Sequence, residues 1–173
     1  MDLKPGAVRE HYNVISNKSG GKIDGVFIKE LDIYPDDRGF FAEIFRTSDP
    51  VAEGFEVLQS SVTMTRQGVI KAFHYHRHQT DIFLPIRGTA KITLVDIRKE
   101  SPTYLTANSI VAGEYYLKAV KIPKGVMHGY EVLPDGNMTM VYFTDRHYNP
   151  EDEFRVRFDS DEIKFKWWGI ENK

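Results

Sequence analysis

The segment GVIKAFHYHRHQTDIFLPIRG, residues 68–88, carries the strongest pattern in this chain. Its two apolar runs, GVIKAFHY and IFLPI, predict β-strands, because both are short and rich in β-branched and aromatic residues. Side chains alternate between the faces of a strand, so His74 and His76 are predicted to point the same way. Two imidazoles on one face are a common start of a metal site, and Asp81 follows them after a short polar turn.

The rest of the chain repeats this pattern of strand and turn. Turn residues such as those in YPDDRG separate short strand-like segments at residues 26–33, 40–46, 57–66, 89–98, 117–123 and 138–144. The segment SDPVAEGFE is the one place where we predict a short helix. The sequence therefore predicts an all-β sandwich or barrel with short peripheral helices. Its 173 residues fit one domain, which begins with a polar arm over residues 1–24.

The composition limits the classes of partner. The net charge is −2, with 23 basic and 25 acidic residues, and no basic block is present. We therefore expect no nucleic acid as a partner. The absence of cysteine excludes disulfides and thiolate chemistry and favours a reducing, cytoplasmic location. We also expect no signal peptide and no contact with a membrane, since no apolar segment approaches the roughly 20 residues needed to span one.

The spacing of the histidines resembles the first motif of the cupin family. The pattern G-x5-H-Y-H-x4-D-x6-G over residues 68–88 agrees with that motif, with aspartate where cupins usually carry glutamate. PKGVMH, residues 123–128, resembles the core of the second cupin motif, which supplies the last histidine. This resemblance implies a jelly-roll barrel. It also implies a site for a divalent transition metal (Zn, Fe, Mn or Ni) held by His74, His76, Asp81 and His128.

A second resemblance covers the chain from about Gly25 to Trp168. The sequence contains, in this order, YPDDRGFFAEIF, VLQSSVT, GVIKAFHYH, VDIRKESPTY, IPKGVMHGYEVL and MVYFTDRHYNPEDE. These segments are similar to the dTDP-4-dehydrorhamnose 3,5-epimerase family, which itself has the cupin fold. The resemblance implies an isomerase that acts on a nucleotide-linked 4-keto sugar without a cofactor. It also implies a homodimer in which the N-terminal arms are exchanged.

The same resemblance assigns roles to individual residues. Epimerisation next to a ketone needs a base, an acid on the other face, and a positive partner for the enolate. The family's base maps onto His74 and its acid maps onto Tyr142. Arg38 and Lys71 are expected to hold the diphosphate. The full set of positions that map onto substrate contacts is Arg38, Glu43, Gln59, Lys71 and His128.

Three positions depart from the epimerase pattern. Asp81 stands where the family has the lysine that stabilises the enolate, and His76 stands where it usually has glutamine. The segment after Trp168 contains no equivalent of the aspartate that orients the base. Because the first two changes complete the cupin metal set, we hypothesise that a divalent ion replaces the lysine as Lewis acid. In that case His74 would be a ligand, and Tyr142 or Glu43 would carry protons.

Simpler interpretations of these residues exist. Asp81 could form an ordinary ion pair with Arg87 or Lys71. Arg38 could close the PDDRG turn, and His78 is expected to face solvent. Two further classes of function also stay open: a metal-dependent cupin enzyme of another kind, either a sugar isomerase or an oxygenase, and a catalytically inactive sugar-binding cupin.

Overall fold

The computed structural model describes residues 10–14, 23–161 and 163. Their strands, in chain order, are β1 (Glu10–Val14), β2 (Phe27–Glu30), β3 (Ile33–Asp36), β4 (Gly39–Ala42), β5 (Gln59–Thr65), β6 (Ile70–Tyr75), β7 (Asp81–Arg87), β8 (Thr89–Asp96), β9 (Thr106–Gly113), β10 (Lys118–Ile122), β11 (Val126–Val132), β12 (Met138–Thr144) and β13 (Phe154–Arg155). Single turns of 3-10 helix lie at η1 (Pro50–Ala52) and η2 (Pro150–Asp152). The predicted all-β class with short peripheral helices is confirmed. Within the described ranges, no helix has the length and apolar character needed to cross a membrane.

The strands form two large sheets and one small hairpin. The first sheet has six strands in the order β1-β9-β8-β11-β6-β13, and the second has five in the order β2-β10-β7-β12-β5. Strands far apart in sequence are therefore neighbours, as in the antiparallel pair of β6 and β11. Only β1 and β9 pair in parallel among the described strands. Two antiparallel sheets with such crossed connections have the jelly-roll arrangement of cupins.

The core lies between the two sheets. Ile92 and Leu94 of β8 and Ile110 of β9 pack in one cluster with Val120 and Ile122 of β10, and all are almost completely buried. The residues that β8 and β10 contribute to this cluster are two positions apart, because alternate side chains point to the same face. Burial of one such side chain contributes about 1.5–3 kcal/mol. These strands therefore form a rigid support for the residues at their ends.

A second cluster covers the outer face of the five-stranded sheet. Ile82 and Leu84 of β7 pack there with Val51 of η1 and with Phe55. The helix begins at Pro50, whose fixed φ suits the first helical position. The short helix predicted in SDPVAEGFE is therefore confirmed as a single 3-10 turn, and it shields one face of β7 from water.

Some predicted element boundaries were wrong. The strand predicted over residues 26–33 is two strands, because β2 joins the five-stranded sheet while β3 pairs only with β4. The segment TANSIVAG, which contains turn-forming residues and was not among the predicted strands, is β9. Its turn-forming Asn108 is buried and accepts a hydrogen bond from the Ile23 backbone nitrogen at 3.2 Å. Tertiary contacts thus override the local turn preference of this segment.

Two predictions concern residues outside the described ranges. Most of the arm over residues 1–24 lies there, so its exchange between subunits stays a prediction. The segment DEIKFKWWG, whose pattern also predicts a strand, begins at Asp161 and likewise lies largely outside them. The described chain instead adds β13, a two-residue strand that pairs with Tyr75 and His74 at the end of β6.

Candidate active site

A cavity of about 740 Å³ lies between the two large sheets. Lys71 and His74 of β6 line it from the six-stranded sheet. Phe83 of β7 and Tyr142 of β12 line it from the five-stranded sheet. The predicted base and the predicted acid therefore face one space from opposite walls.

The four predicted metal ligands come together beside this cavity. Each of them offers one nitrogen or oxygen atom, and these atoms lie within 4.8 Å of one another. His76, Asp81 and His128 are buried, whereas His74 is half-buried and faces the cavity. His78 is exposed and lies outside the cluster, as predicted. The geometry therefore forms a site that could hold a cation.

The close approach of β11 to β6 places His128 beside His74. The two residues are cross-strand partners, and their ring centroids are 4.0 Å apart. The register shifts just after His128, where Gly129 follows. A Cβ at Gly129 would collide with the Cβ of Ala72 on β6. The glycine of the HG sequence is therefore required for this close contact.

Backbone carbonyls orient two of the histidines. Nδ1 of His76 lies 2.6 Å from the carbonyl oxygen of Asp152, and Nδ1 of His128 lies 2.9 Å from the carbonyl oxygen of Val126. A carbonyl oxygen only accepts hydrogen bonds, so Nδ1 carries the hydrogen in both imidazoles. In the neutral rings, the lone pairs of both Nε2 atoms are therefore directed away from these carbonyls and are available to a ligand.

Asp81 is the acceptor that these nitrogen atoms face. Its Oδ2 lies 3.5 Å from Nε2 of His76 and 3.2 Å from Nε2 of His128. Its Oδ1 accepts a hydrogen bond from Nε2 of Gln79 at 2.7 Å. Nε2 of His128 is fully buried and makes no hydrogen bond. The described contacts of Asp81 include neither Arg87 nor Lys71, so the simple ion pair considered from sequence is not observed.

His74 differs from the other members of the cluster. Burial, together with the neighbouring His128 and His76 imidazoles and the Arg155 guanidinium, lowers the pKa of His74 well below its usual range. The ring is therefore neutral at neutral pH, as both a base and a metal ligand must be. Among the described residues, no hydrogen bond orients either of its ring nitrogens.

The predicted acid, Tyr142, lies in an aromatic wall of the cavity. Its ring contacts Phe83 in an edge-on arrangement with a centroid separation of 6.0 Å, and Phe83 in turn lies 6.5 Å from the ring of His74. Phe83 therefore lies between the side chains that are expected to exchange protons with the substrate. Tyr130 and Met140 complete the apolar part of this wall.

Of the five predicted substrate-binding residues, His128 belongs to the cluster described above, and the other four divide into two groups. Lys71 lines the cavity, and Gln59 holds one of its walls, because its Oε1 accepts a hydrogen bond from the backbone nitrogen of Tyr148 at 2.9 Å. Arg38 and Glu43 do not line the cavity of this chain. The guanidinium of Arg38 is largely exposed and binds Asp36 at 2.6 Å, which agrees with its alternative role in the turn.

Glu43 belongs to a separate depression. This depression also contains Lys29 and Arg46, and Glu43 pairs there with Arg46 at 2.5 Å. Within one chain, Glu43 is therefore not placed to carry protons at the His74 cavity, contrary to one of the expectations from sequence.

Sequence analysis missed several residues of the site. Asp152 fixes the turn after His76, since its carboxylate accepts hydrogen bonds from the backbone nitrogens of Arg77 at 2.8 Å and His78 at 3.0 Å. Arg155 lines the cavity and pairs with Glu153 at 2.7 Å. The sequence contains an N-cap signal for this region, the Asn-Pro pair at the start of η2. It contains no local signal that η2 packs on the histidine turn more than 70 residues earlier.

Comparison with known proteins agrees with this architecture. Residues 21–173 match the family model described as dTDP-4-dehydrorhamnose 3,5-epimerase. The chain is 43% identical over 147 residues to the spore coat polysaccharide biosynthesis protein SpsL of Bacillus subtilis. The alignment covers 84% of this chain and 96% of that protein. It is 30% identical over 149 residues to a dTDP-4-dehydrorhamnose 3,5-epimerase of Methanothermobacter thermautotrophicus, with 84% and 80% of the two chains covered.

A solved structure is also similar. The dTDP-6-deoxy-D-glucose-3,5-epimerase RmlC of Legionella pneumophila, in complex with dTDP-4-keto-L-rhamnose, superposes with a TM-score of 0.78 at 27% identity. The match covers 86% of this chain and 81% of that one. The matched segment, the jelly-roll sheets and the cavity between them lead to the same conclusion: this chain belongs to the dTDP-4-dehydrorhamnose 3,5-epimerase family.

Proposed function

We propose that this protein epimerises a nucleotide-linked 4-keto sugar by removing and returning a proton next to the ketone. The observation that carries the proposal is the placement of His74 and Tyr142 on opposite walls of one cavity. Inversion of a carbon requires a base on one face and an acid on the other. Membership of the family and the dTDP-sugar bound in the Legionella relative support a nucleotide sugar as the substrate.

The described residues supply the parts of this reaction as follows. His74 is kept neutral, because burial, the neighbouring imidazoles and the Arg155 guanidinium lower its pKa, so it can accept the proton. The Tyr142 hydroxyl would donate a proton from the opposite side. Cationic side chains of Lys71, Arg155 and Arg157 line the same cavity and suit the charge of a diphosphate. The similarity to SpsL supports a role of the product in making a polysaccharide.

The enolate also needs a positive partner, and Asp81 occupies the position where the family's lysine was expected. We propose that a divalent transition metal binds at the cluster of His74, His76, Asp81 and His128. The fit rests on the donor set and on Nε2 of His128, which is buried without a hydrogen bond and lies 3.2 Å from a carboxylate oxygen. When bound, such an ion supplies Lewis-acid charge for the oxygen of the enolate.

Exchange of solvent deuterium tests the proposed reaction. The protein is incubated in D2O with a dTDP-linked 4-keto-6-deoxy sugar, and deuterium at C3 and C5 is measured by NMR. Epimerisation through an enolate must introduce deuterium at each carbon that is inverted. His74→Asn and Tyr142→Phe should each reduce the rate by about 10²–10⁴-fold. Binding of the sugar without any exchange would contradict the proposal and would instead indicate a sugar-binding protein.

Neither alternative class of function is favoured by the comparisons. The family and the named relatives support an epimerase rather than an oxygenase or an inactive cupin. We also propose a homodimer, because Arg38 and Glu43 lie outside the cavity of their own chain and a second copy could bring them to a bound nucleotide. Sedimentation of the purified protein tests this. The cytoplasmic location stays a prediction.

A further inference from the structure

We infer that three of the four clustered side chains, His76, Asp81 and His128, hold the metal ion, and that His74 is left free to act as the base. This inference rests on the proposed function, and it removes a conflict within it. If His74 were a ligand, its lone pair would not be available to take the proton from the substrate. The structure separates the two roles by the way in which each imidazole is held.

The three inferred ligands are held by hydrogen bonds from outside the site. Nδ1–H of His76 donates to a backbone carbonyl at 2.6 Å, and Nδ1–H of His128 donates to another at 2.9 Å. Gln79 donates to Oδ1 of Asp81 at 2.7 Å. Partners of this kind fix the ring orientation and the tautomer of metal ligands and raise their basicity. Each of the three residues therefore presents one free acceptor atom.

The free acceptor atoms converge on one point. Oδ2 of Asp81 is 3.2 Å from Nε2 of His128 and 3.5 Å from Nε2 of His76. Ligands about 2.0–2.2 Å from a metal ion lie about 2.8–3.6 Å apart at octahedral or tetrahedral angles. Buried acceptor atoms facing each other at this distance repel unless a metal cation or a proton lies between them. The spacing is therefore that of a metal site.

His74 lacks these features. It makes no ion pair with Asp81 or with any other carboxylate of the described residues, and no hydrogen bond fixes its ring there. It is the only half-buried member of the cluster, and it borders the cavity. Its ring centroid lies 5.5 Å from that of His76. His76 and Asp81 also border the cavity, but His74 is the most exposed of the four side chains and is not held by a hydrogen bond of the described residues, which suits it to proton transfer.

A site of two imidazoles and one carboxylate also leaves coordination positions open. An open position is what a substrate oxygen requires if its developing charge is to be stabilised. With His74 as a fourth protein ligand, fewer positions would be open, and the most exposed side chain of the cluster would be occupied. The arrangement with three ligands therefore allows both proton abstraction by His74 and stabilisation of the enolate oxygen by the ion.

Cobalt binding by matched variants tests this inference. The apoprotein is prepared with chelator and titrated with Co²⁺, and stoichiometry and dissociation constant are obtained from the visible absorption of the ion. We expect about one Co²⁺ per chain for the wild type and for His74→Asn, with dissociation constants within about threefold of each other. We expect His76→Gln and Asp81→Asn to bind Co²⁺ more weakly by over about 100-fold. His74→Asn should nevertheless lose deuterium exchange.

Each result has a distinct meaning. If His74→Asn and a second variant, His74→Gln, both lose Co²⁺ as His76→Gln does while circular dichroism shows an intact fold, His74 is a ligand and the inference is overturned. If the wild type binds no Co²⁺, the metal site itself is wrong, whereas the deuterium experiment still decides whether the protein is an epimerase. If His74→Asn binds Co²⁺ and keeps full exchange, His74 is not the base.

Discussion

Two buried aspartates, Asp96 and Asp81, show how similar burial can serve different purposes. Asp96 ends β8 and is completely buried, and Asp81 begins β7 with 2% of its surface exposed. The carboxylate of Asp96 accepts hydrogen bonds from Arg98 Nε at 2.8 Å, from Ser101 Oγ at 2.5 Å and from Thr103 Oγ1 at 2.6 Å. All of its partners lie within the next seven residues.

Asp81 has no comparable set of donors. Gln79 donates to one of its oxygens, and the other oxygen faces two imidazole nitrogens. No lysine or arginine of the described residues pairs with it. A buried carboxylate is stable only when its charge is compensated. The comparison teaches that Asp96 is compensated by donors of the protein itself, whereas Asp81 faces two imidazoles and the site of the cation that we propose.

The largest effect is expected for Asp81→Asn, which removes the charge that attracts the cation. Deuterium exchange into the keto sugar should fall by about 10³-fold, equivalent to about 4 kcal/mol of transition-state stabilisation. In chelator, Asp81→Asn should not lower the free energy of unfolding, because the buried carboxylate then has no cation to compensate its charge. Exchange kinetics and urea unfolding measure the two effects. A large loss of stability in chelator would mean that Asp81 is a structural residue.

The next largest effect is expected for Asp96→Asn, and it should fall on the stability of the fold and not on metal binding. The guanidinium of Arg98 would lose its counter-charge, so the free energy of unfolding should fall by about 3 kcal/mol. The stoichiometry of metal binding should not change. Urea unfolding and elemental analysis check both points. Asp159→Asn is the control, because its ion pair with Arg157 is exposed and its loss should have no measurable effect on stability.

The pH dependence of stability should also differ between the wild type and Asp96→Asn. Burial opposes ionisation of Asp96, but hydrogen bonds from Arg98, Ser101 and Thr103 outweigh it and hold its pKa below the usual range. A group whose pKa is lower in the folded state stabilises the protein above its unfolded pKa and loses that effect as the pH falls through the folded pKa.

The difference in stability between wild type and Asp96→Asn should therefore be constant from pH 7 to about pH 5 and should shrink below about pH 4. Urea unfolding at several pH values measures this difference. A difference that stays constant down to pH 3 would show that the charge of Asp96 does not contribute.

The smallest effect is expected for Asp152→Ala, which acts on the site from a distance. Its carboxylate holds the backbone nitrogens of Arg77 and His78, and its carbonyl binds His76. Loosening this turn should weaken Co²⁺ binding by about 10-fold, or about 1.4 kcal/mol, because the His76 ring is less well oriented. Asp152→Asn keeps one acceptor oxygen and should retain part of the affinity. Equal Co²⁺ affinities in wild type and Asp152→Ala would exclude a positioning role.

Much of the site could be predicted from sequence, because the informative residues are close together along the chain. His74, His76 and Asp81 fall within eight positions, and strand periodicity places both histidines on one face. The contact of His128 with this group follows only from the cupin resemblance. Asp152 and Arg155 could not be predicted, since they meet the histidine turn through β13 and η2, whose pairing has no local signal.

The sequence by itself determined the all-β class, the family and the identity of the clustered side chains. It did so because alternation and motif spacing are local properties that survive in a linear chain. Only the tertiary structure decided which atoms face each other. The carbonyls that fix the Nδ1 hydrogens of His76 and His128 belong to backbone whose position is set by sheet register and turn packing. The division of labour that we infer between His74 and its neighbours therefore rests on the fold.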